Sequence, residues 1–523
     1  MNRSTQFGLI GVALAFVAAG MLFVPRLGIA ADEAIIANGI YDHGDPAYSL
    51  KFADLELPIM IMNRLGALKA WFFNGVFLFA PPRPIILRFP LLLLAAATLW
   101  LFFELLDRTM NRRAAWIGTL LLATDTSYLL LNSADYGQTT FQFVLKLAAL
   151  VLLVRFHQNS DKRDLGYAFF LLGLGLWDKA VFGWVLFGLV AAAVAVFPRE
   201  ARKHLSPPNI AVAGLAMLAG ALPLVVYNIA RPLQTLRGES RLEQSAMPGR
   251  LQVLERTMDG DAMFGFLTAT QPGPQPGQPN HWYQSLSLTV SRWTGHPHRN
   301  AMLVAAVAAM LIFLGKSSAR KPILFGLIAC AGIWLPMLLT AEAGTAARHV
   351  ILLWPFHLIP VAAVLAQRLA VRGAILTALL CVWNLAVTNQ YYADLIRNGP
   401  AIRWTDAMDP LQRYLTDLHV RRIVAADGGF METMNLLGEG ELPMYRPIYQ
   451  AGASNEQSME ALLRDPSNVF VAHTREFALR PQERAALENL AQREQYQLEP
   501  LTTIQDRNGR PTFDVFRFRK LHL

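Results

Sequence analysis

Long apolar blocks alternate with short polar segments over the first three quarters of the chain. Crossing a hydrocarbon core of about 30 Å takes roughly 20 helical residues, and most of the blocks approach that length. The pattern therefore predicts an α-helical polytopic membrane protein with about eleven transmembrane helices. The blocks lie near residues 7–26, 84–106, 114–132, 139–156, 165–178, 181–197, 209–228, 300–315, 322–340, 349–366 and 373–389.

The basic residues between the blocks predict an orientation. Lys and Arg should collect in the cytoplasmic loops, which are every second loop along the chain. With the N-terminus inside, these loops hold Arg108, Arg112 and Arg113, then Arg155, Lys162 and Arg163, then Arg199, Arg202 and Lys203, then Lys316, Arg320 and Lys321, then Arg368 and Arg372. Residues 27–83, residues 229–299 and the tail after Gln390 are then expected on the non-cytoplasmic side.

The first block needs a separate decision, because a cleavable signal peptide has a similar composition. Arg3 precedes an apolar run from Phe7 to Val24, and small residues follow it. The run is longer than the usual signal core, and blocks of the same kind follow. We therefore interpret it as a retained first transmembrane helix.

Composition supports the membrane class and argues against nucleic acid as a partner. Of the 523 residues, 54% are hydrophobic and 16% are charged, whereas soluble domains carry about a quarter charged residues. The net charge of +9 comes from short groups between apolar blocks. A nucleic-acid binder would instead concentrate its basic residues on one face.

The outer segments differ in character. Residues 58–79 are rich in apolar and aromatic residues and predict a helix lying in the membrane interface. From about Ala401 the composition becomes that of a soluble protein, with strands predicted at 420–426, 469–473 and 511–519 and a helix at 481–494. We predict two domains, a membrane domain over residues 1–390 and a small non-cytoplasmic α/β domain over residues 391–523.

Acidic residues that could act as bases lie in two of the predicted outer loops. Asp32 and Glu33 directly follow the first block, in a loop that also holds Asp42, Asp45, Asp54 and Glu56. Asp135 lies in the short turn 132–138 between the third and fourth blocks. Ordinary solvated loop residues would look the same in the sequence, so position alone leaves both interpretations open.

Basic residues flank the same outer face. Lys179 lies between two apolar blocks, and Arg348 and His349 immediately precede another. Charges at membrane depth are costly and often mark a functional site. Lys and Arg at helix ends can also extend to the headgroups without any such role. A zinc site is not predicted, because His296 and His298 have no converging Cys or His ligands.

Six short motifs in order resemble GT-C class glycosyltransferases, specifically bacterial family 39 relatives of the protein mannosyltransferases and of the aminoarabinose transferase of lipid A. The resemblance covers residues 1 to about 390. The motifs are Asp32-Glu33, Leu65-Gly-Ala-Leu-Lys-Ala-Trp71, Leu87-Arg88-Phe-Pro90, Leu122-Ala-Thr-Asp-Thr-Ser-Tyr128 leading to Asp135-Tyr-Gly137, Gly173-Leu-Gly-Leu-Trp-Asp-Lys179 and Arg348-His-Val-Ile-Leu-Leu-Trp-Pro355. Ser133 and Arg64 stand where these relatives often have Arg and Tyr.

The resemblance implies a GT-C fold and an inverting transfer of sugar from a polyprenyl-phosphate carrier to an acceptor hydroxyl of a lipid, glycan or protein. It implies the bacterial inner membrane, with the active site on the periplasmic side. By this comparison Asp32 is the base, Glu33 and Asp135 assist it, and Lys179, Arg348 and His349 bind the donor phosphate. Glu33 is the alternative base, because the sequence does not show which of the two neighbours faces the cavity. It also allows a divalent cation, Mg²⁺ or Mn²⁺, bound by Asp32 and Asp135.

Two other functions fit a polytopic chain. A transporter or lipid flippase would place charged residues near the bilayer midplane and show repeated halves. Most of the candidate charges here lie at the outer face instead, and the sequence shows no internal repeat. A non-catalytic anchor that presents the C-terminal domain would leave the acidic residues of the two outer loops unexplained.

Overall fold

The computed structural model describes residues 2–41, 46–52, 55–137, 139–235, 247–313, 319–341, 343–367, 370–447 and 453–521. Asp42, Asp45 and Asp54 of the first outer loop lie outside these residues, as do Lys316 and Arg368 of the predicted cytoplasmic loops.

All eleven predicted blocks coincide with helices. The membrane part contains α1 (Arg3–Phe23), α2 (Ala31–Ala37), α3 (Leu68–Phe77), α4 (Pro84–Thr109), α5 (Arg112–Thr124), α6 (Thr126–Ser133), α7 (Thr139–Asn159), α8 (Lys162–Asp178), α9 (Phe182–Val196), α10 (Pro198–His204), α11 (Pro207–Ala230), α12 (Met247–Met258), α13 (Trp282–Trp293), α14 (Met302–Phe313), α15 (Arg320–Leu339), α16 (Ala347–Val350), α17 (Leu358–Gln367) and α18 (Ala370–Arg397).

The number of helices that could span a membrane is lower than eleven. Among the described residues, six helices are long and apolar enough, or up to nine if each of three bent helix pairs is one span. The pairs are α5 with α6, α9 with α10, and the helical segment 347–353 with α17, bent by 53°, 105° and 42°. The remaining two blocks form α8 and α14, which are only 17 and 12 residues long. The polytopic helical class is confirmed, and within the described ranges length and composition support six to nine of the eleven predicted spans.

Glycines allow neighbouring helices to approach closely. A Cβ atom on Gly173 of α8 would lie 2.3 Å from the carbonyl oxygen of Met217 in α11, and one on Gly220 of α11 would lie 2.2 Å from that of Phe170 in α8. Small residues at contacts of this kind are typical of helices packed within a membrane. Any larger residue at either position would push the two helices apart.

The first outer loop is more irregular than predicted. After α2 it forms an antiparallel sheet of β1 (Tyr48–Phe52), β2 (Leu55–Met62) and β3 (Leu65–Gly66), and α3 follows. The predicted interfacial helix over residues 58–79 was therefore wrong in its first half. Short apolar runs do not separate strand from helix by periodicity, and here Ile59, Met60 and Ile61 are buried within the strand.

The C-terminal part is an α/β domain with a five-stranded sheet in the order β5-β4-β6-β8-β7. Its strands are β4 (Arg422–Ala425), β5 (Met444–Tyr445), β6 (Asn468–His473), β7 (Tyr496–Gln505) and β8 (Pro511–Lys520), and its helices are α19 (Met408–Asp417), α20 (Met431–Leu437), α21 (Ala453–Arg464) and α22 (Pro481–Arg493). Neighbouring residues of β4 bury opposite faces, since Ile423 packs in one apolar cluster and Val424 in another.

The boundary between the two parts lies further along than residue 390, because α18 continues to Arg397. The C-terminal domain contacts the start of the first outer loop. The Gly28 amide donates to the Trp404 carbonyl at 2.8 Å, and the Thr433 hydroxyl donates to the Ile29 carbonyl at 3.2 Å. These contacts fix the segment that leads into α2, where Asp32 and Glu33 lie.

Candidate active site

Glu33 faces the protein interior. Its two carboxylate oxygens accept hydrogen bonds from the guanidinium of Arg88 at 3.0 and 2.7 Å, and both side chains are at most 1% exposed. Arg88 also donates to the carbonyl oxygens of Leu27 and Gly28, at 2.8 and 2.7 Å. The Glu33–Arg88 pair therefore ties α2 to α4 and to the end of the first span, and it leaves no carboxylate oxygen facing the solvent.

Asp135 is also buried, in a second ion pair. Its carboxylate contacts the ammonium of Lys69 from α3, and both side chains are 1% exposed. Burial raises the pKa of Asp135 above its ordinary value, and the Lys69 ammonium limits that rise. Asp135 lies in a tight turn, where its backbone has a φ of 50°. Its contact with Lys69 links the first and second outer loops.

Asp32, the neighbour of Glu33, points the other way. Its carboxylate oxygen lies 2.5 Å from the guanidinium nitrogen of Arg348, and its side chain is 53% exposed. The Arg348 guanidinium also lies over the ring of Tyr136, with 5.3 Å between the guanidinium carbon and the ring centre. Of the three predicted acids, Asp32 is the one that solvent and a substrate can reach.

Further cationic groups lie near the Asp32–Arg348 pair. The Lys179 ammonium donates to the carbonyl oxygen of Gly137 at 3.1 Å. Gly137 also touches Arg348, since a Cβ atom at this glycine would lie 2.3 Å from that side chain. The turn 135–137 therefore brings Lys179 and Arg348 together from different parts of the chain.

His349 is partly buried beside the same group. Its Nδ1 atom has no hydrogen-bond partner among the described residues. Its imidazole ring lies within electrostatic range of the positively charged side chains of Lys179, Arg348 and Arg64. The structure therefore collects the three predicted phosphate-binding residues, Lys179, Arg348 and His349, at one place.

A buried lysine, Lys146, stabilises the backbone of the segment that carries Arg348. The helix is interrupted at Pro355, and the Leu352 carbonyl oxygen instead accepts a hydrogen bond of 2.6 Å from Lys146 of α7. Lys146 also lies over the rings of Phe143 and Phe356. Its contact with the broken helix fixes the backbone four residues beyond Arg348.

The predicted divalent-cation site at Asp32 and Asp135 stays a prediction. Each of these two carboxylates already contacts its own cation, Arg348 or Lys69. Within the described ranges, no group of three or more His, Cys, Asp or Glu side chains has the arrangement of a metal site. The carboxylates as placed do not fit a shared divalent ion.

Sequence reasoning did not assign roles to Lys69, Arg88 or Tyr136, although all three lie in the motifs quoted above. Arg88 is a charge inside an apolar block, which usually marks a functional or paired residue. Lys69 follows an apolar run in the first outer loop. Their partners, Glu33 and Asp135, lie 55 and 66 residues away, and no local pattern reveals pairs at that separation.

Comparisons with known proteins bear on the family and the fold. Residues 67–227 match the family model described as dolichyl-phosphate-mannose-protein mannosyltransferase. The fold matches ArnT from Cupriavidus metallidurans bound to undecaprenyl phosphate over 98% of both chains, with a TM-score of 0.58 and 11% identity. The apo structure of the same protein gives 0.54 and 13% over 98% of both chains. No curated protein matches the sequence significantly. The predicted resemblance to GT-C class glycosyltransferases is confirmed.

Proposed function

We propose that the protein is a membrane glycosyltransferase that moves a sugar from a polyprenyl-phosphate carrier to an acceptor hydroxyl. The observation that carries this proposal is the solvent-facing Asp32 carboxylate held against Arg348, with Lys179 and His349 alongside. One acid and two cations, Arg348 and Lys179, at the predicted outer ends of membrane helices supply both a base and a phosphate site. The matching family model and the lipid phosphate bound by ArnT support the same class of donor.

The reaction we infer is a single displacement with inversion. The Asp32 carboxylate accepts the proton of the acceptor hydroxyl, and the acceptor oxygen forms a bond to the anomeric carbon. The bond from that carbon to the phosphate oxygen breaks, and its electron pair stays on the carrier phosphate. A positioned base contributes on the order of 10²–10⁴-fold, and cations at the leaving phosphate stabilise charge that grows in the transition state.

Arg348 has two parts in this scheme. Before substrate binds, it pairs with Asp32 at 2.5 Å and holds that carboxylate in position. Its planar guanidinium can also grip phosphate through two parallel hydrogen bonds. An exposed ion pair contributes only about 0–1 kcal/mol, so Arg348 can exchange the half-exposed Asp32 carboxylate for a phosphate. Lys179, which binds the Gly137 carbonyl of the same turn, adds a second cation.

Glu33 and Asp135 act differently from Asp32. Their buried pairs with Arg88 and Lys69 hold α2, α3 and α4 around the reacting groups. We therefore assign them to the scaffold and Asp32 to proton transfer. The difference in exposure supports Asp32 over Glu33 as the base.

We also propose that the site faces the periplasm of a bacterial inner membrane. The basic cytoplasmic loops support this orientation, and cysteine labelling tests it. Cys330 and Cys381 would first be replaced by Ala, and single cysteines would then be placed at the exposed positions Lys162 and Gln278. A membrane-impermeant reagent should label position 278 in intact cells. Labelling at 162 instead would contradict this topology.

Mass spectrometry of lipid-linked sugars and cell-envelope glycans tests the proposed reaction itself. Cells with the native protein should contain a glycosylated product that is missing from deletion cells, and cells with Asp32→Asn should resemble the deletion. The unused polyprenyl-phosphate sugar should accumulate in both. Unchanged lipid-linked sugars and glycans across the three strains would overturn the proposed function, and the product's mass would identify sugar and acceptor together.

A further inference from the structure

A cavity of about 320 Å³ with both polar and apolar walls lies near the end of α18. Its walls come from the loop 264–270, from the loop that follows α13, and from the last turns of α18. Binding sites for small molecules typically have volumes of roughly 300–1,000 Å³. The cavity therefore has room for a single sugar unit and part of its neighbour.

The groups that line this cavity can both donate and accept hydrogen bonds. The Oδ1 atom of the Asp394 carboxylate accepts hydrogen bonds from the side chains of Gln390 and Arg397, at 3.0 and 3.1 Å. Its other oxygen has no protein partner among the described residues. The buried Nε of Arg397 is likewise without a hydrogen bond within the described part of the chain. The second oxygen of the Asp394 carboxylate thus remains available to accept a hydrogen bond from a ligand.

The cavity also has an apolar side and little net charge. The ring of Phe264 lies 4.4 Å from that of His298, centre to centre. The Nδ1 atom of His296 is hydrogen-bonded to the Ser291 hydroxyl at 3.0 Å. The other ring nitrogen of His296 therefore remains for a ligand. Because Asp394 and Arg397 compensate each other, the site favours a neutral ligand with many hydroxyl groups and one apolar face.

The loop that lines the cavity also touches the candidate active site. Phe264, Gly265 and Thr268 face the cavity. Phe266, between them, packs its ring 4.7 Å from that of Tyr136, and Tyr136 lies under Arg348. Phe266 and Tyr136 therefore connect the wall of the cavity to Arg348 of the candidate active site.

We propose that this cavity is the acceptor subsite and binds a neutral sugar unit of a glycan or glycolipid acceptor. The proposal rests on the proposed glycosyltransferase function. A sugar fits better than an extended peptide, because the loop backbone is already paired. The Ala269 amide donates to the Gly399 carbonyl at 3.0 Å, and the Ala401 amide donates to the Leu267 carbonyl at 2.9 Å. No backbone edge is thus left at these residues for a peptide strand to join.

Saturation-transfer NMR on the purified full chain tests the binding step, with the methyl glycosides of glucose, galactose and mannose as probes. At least one should receive saturation from the native protein. The signal should fall at least fivefold in Thr270→Trp, which fills the cavity from an exposed position, and in Asp394→Asn. The matched control Asp417→Asn changes an exposed carboxylate of the C-terminal domain and should leave the signal unchanged.

Three results would overturn the subsite: no transfer to any of the three glycosides, equal transfer in Thr270→Trp, or competition by a serine-containing peptide at this cavity. The same variants in cells extend the test to the reaction. Thr270→Trp should reduce the glycosylated product and let the lipid-linked sugar accumulate, and a product at the native level would also contradict the proposal.

Undecaprenyl phosphate binding, measured on the same preparations, distinguishes a failure of the proposed glycosyltransferase function from a failure of the proposed acceptor cavity. Its affinity should be the same in the native protein and in Thr270→Trp, because the cavity lies outside the proposed phosphate site. A native protein that binds a glycoside but not undecaprenyl phosphate would overturn the proposed function and leave the sugar cavity standing. The opposite outcome would overturn the cavity alone.

Discussion

The ion pairs of Asp32 and Glu33 differ in environment although the two residues are neighbours in the chain. The Glu33–Arg88 pair is at most 1% exposed, whereas Asp32 and Arg348 are 53% and 28% exposed. Removing one partner of a buried pair leaves an uncompensated charge and costs about 3–5 kcal/mol, but an exposed pair contributes only about 0–1 kcal/mol. Both are carboxylate–guanidinium pairs, but the buried Glu33–Arg88 pair stabilises the fold, whereas the exposed Asp32–Arg348 pair can be exchanged for contacts with a substrate.

The largest effect is expected where the buried pair is broken. Arg88→Met should lower the free energy of unfolding by about 3–5 kcal/mol, because Glu33 would lose its partner while remaining buried. Thermal unfolding of the purified protein in detergent checks this. The double variant Glu33→Leu with Arg88→Met removes both charges and should recover part of the loss. A single variant as stable as the native protein would show that Glu33 has access to solvent.

A smaller effect is expected at the exposed pair. Arg348→Lys keeps the charge but loses the planar pair of donors, so the affinity for undecaprenyl phosphate should fall about tenfold, which corresponds to roughly 1.4 kcal/mol. Stability should change by less than about 1 kcal/mol. Arg475→Lys, on the exposed surface of the C-terminal domain, is the matched control. A native affinity for undecaprenyl phosphate in Arg348→Lys would contradict bidentate binding of the phosphate by Arg348.

The smallest effect is expected at a third buried carboxylate, Asp427. Burial alone would raise its pKa, but the hydrogen bond and charge of His473, at 2.7 Å, and the amides of Gly428 and Leu479 lower it below the ordinary value. A lowered pKa stabilises the folded state above the unfolded value of about 3.9, and this contribution is lost as the pH falls below it.

Hydrogen exchange of residues 475–480 measures this loss, because the amides of Leu479 and Arg480 donate to Asp427. Their protection should decrease between pH 6 and pH 3. In Asp427→Asn it should already be low at pH 6 and should depend less on pH. A native protein whose protection is the same at both pH values would contradict the sign of this effect.

The sequence predicted the features that depend on local pattern. Apolar length located the helices, and the composition change after residue 400 located the α/β domain. Asp32 and Glu33 could not be distinguished, because adjacent helical residues point about 100° apart and the direction of each is set by a distant partner. Arg88 fixes Glu33 from 55 residues away, and Arg348 meets Asp32 from 316 residues away.

Other parts of the site also depended on tertiary contacts. The β-strand at 55–62 is held by pairing with β1, although its apolar run had predicted a helix. Asp135 looked like a second accessible acid until its contact with Lys69 placed it in the interior. In both cases the residue types were visible in the sequence, whereas the distant strand or side chain that pairs with them was not.

Turnover per folded molecule in Asp32→Asn and Glu33→Gln, measured on the same protein preparations, tests the central claim most directly. Asn keeps the size of the side chain and removes the proton acceptor. Asp32→Asn should therefore lower turnover by about 10²-fold or more while its stability and undecaprenyl phosphate binding stay near native. Glu33→Gln should lower stability and retain most of the turnover of the molecules that fold. Near-native turnover in well-folded Asp32→Asn, with the loss in Glu33→Gln instead, would contradict the assignment of Asp32 as the base.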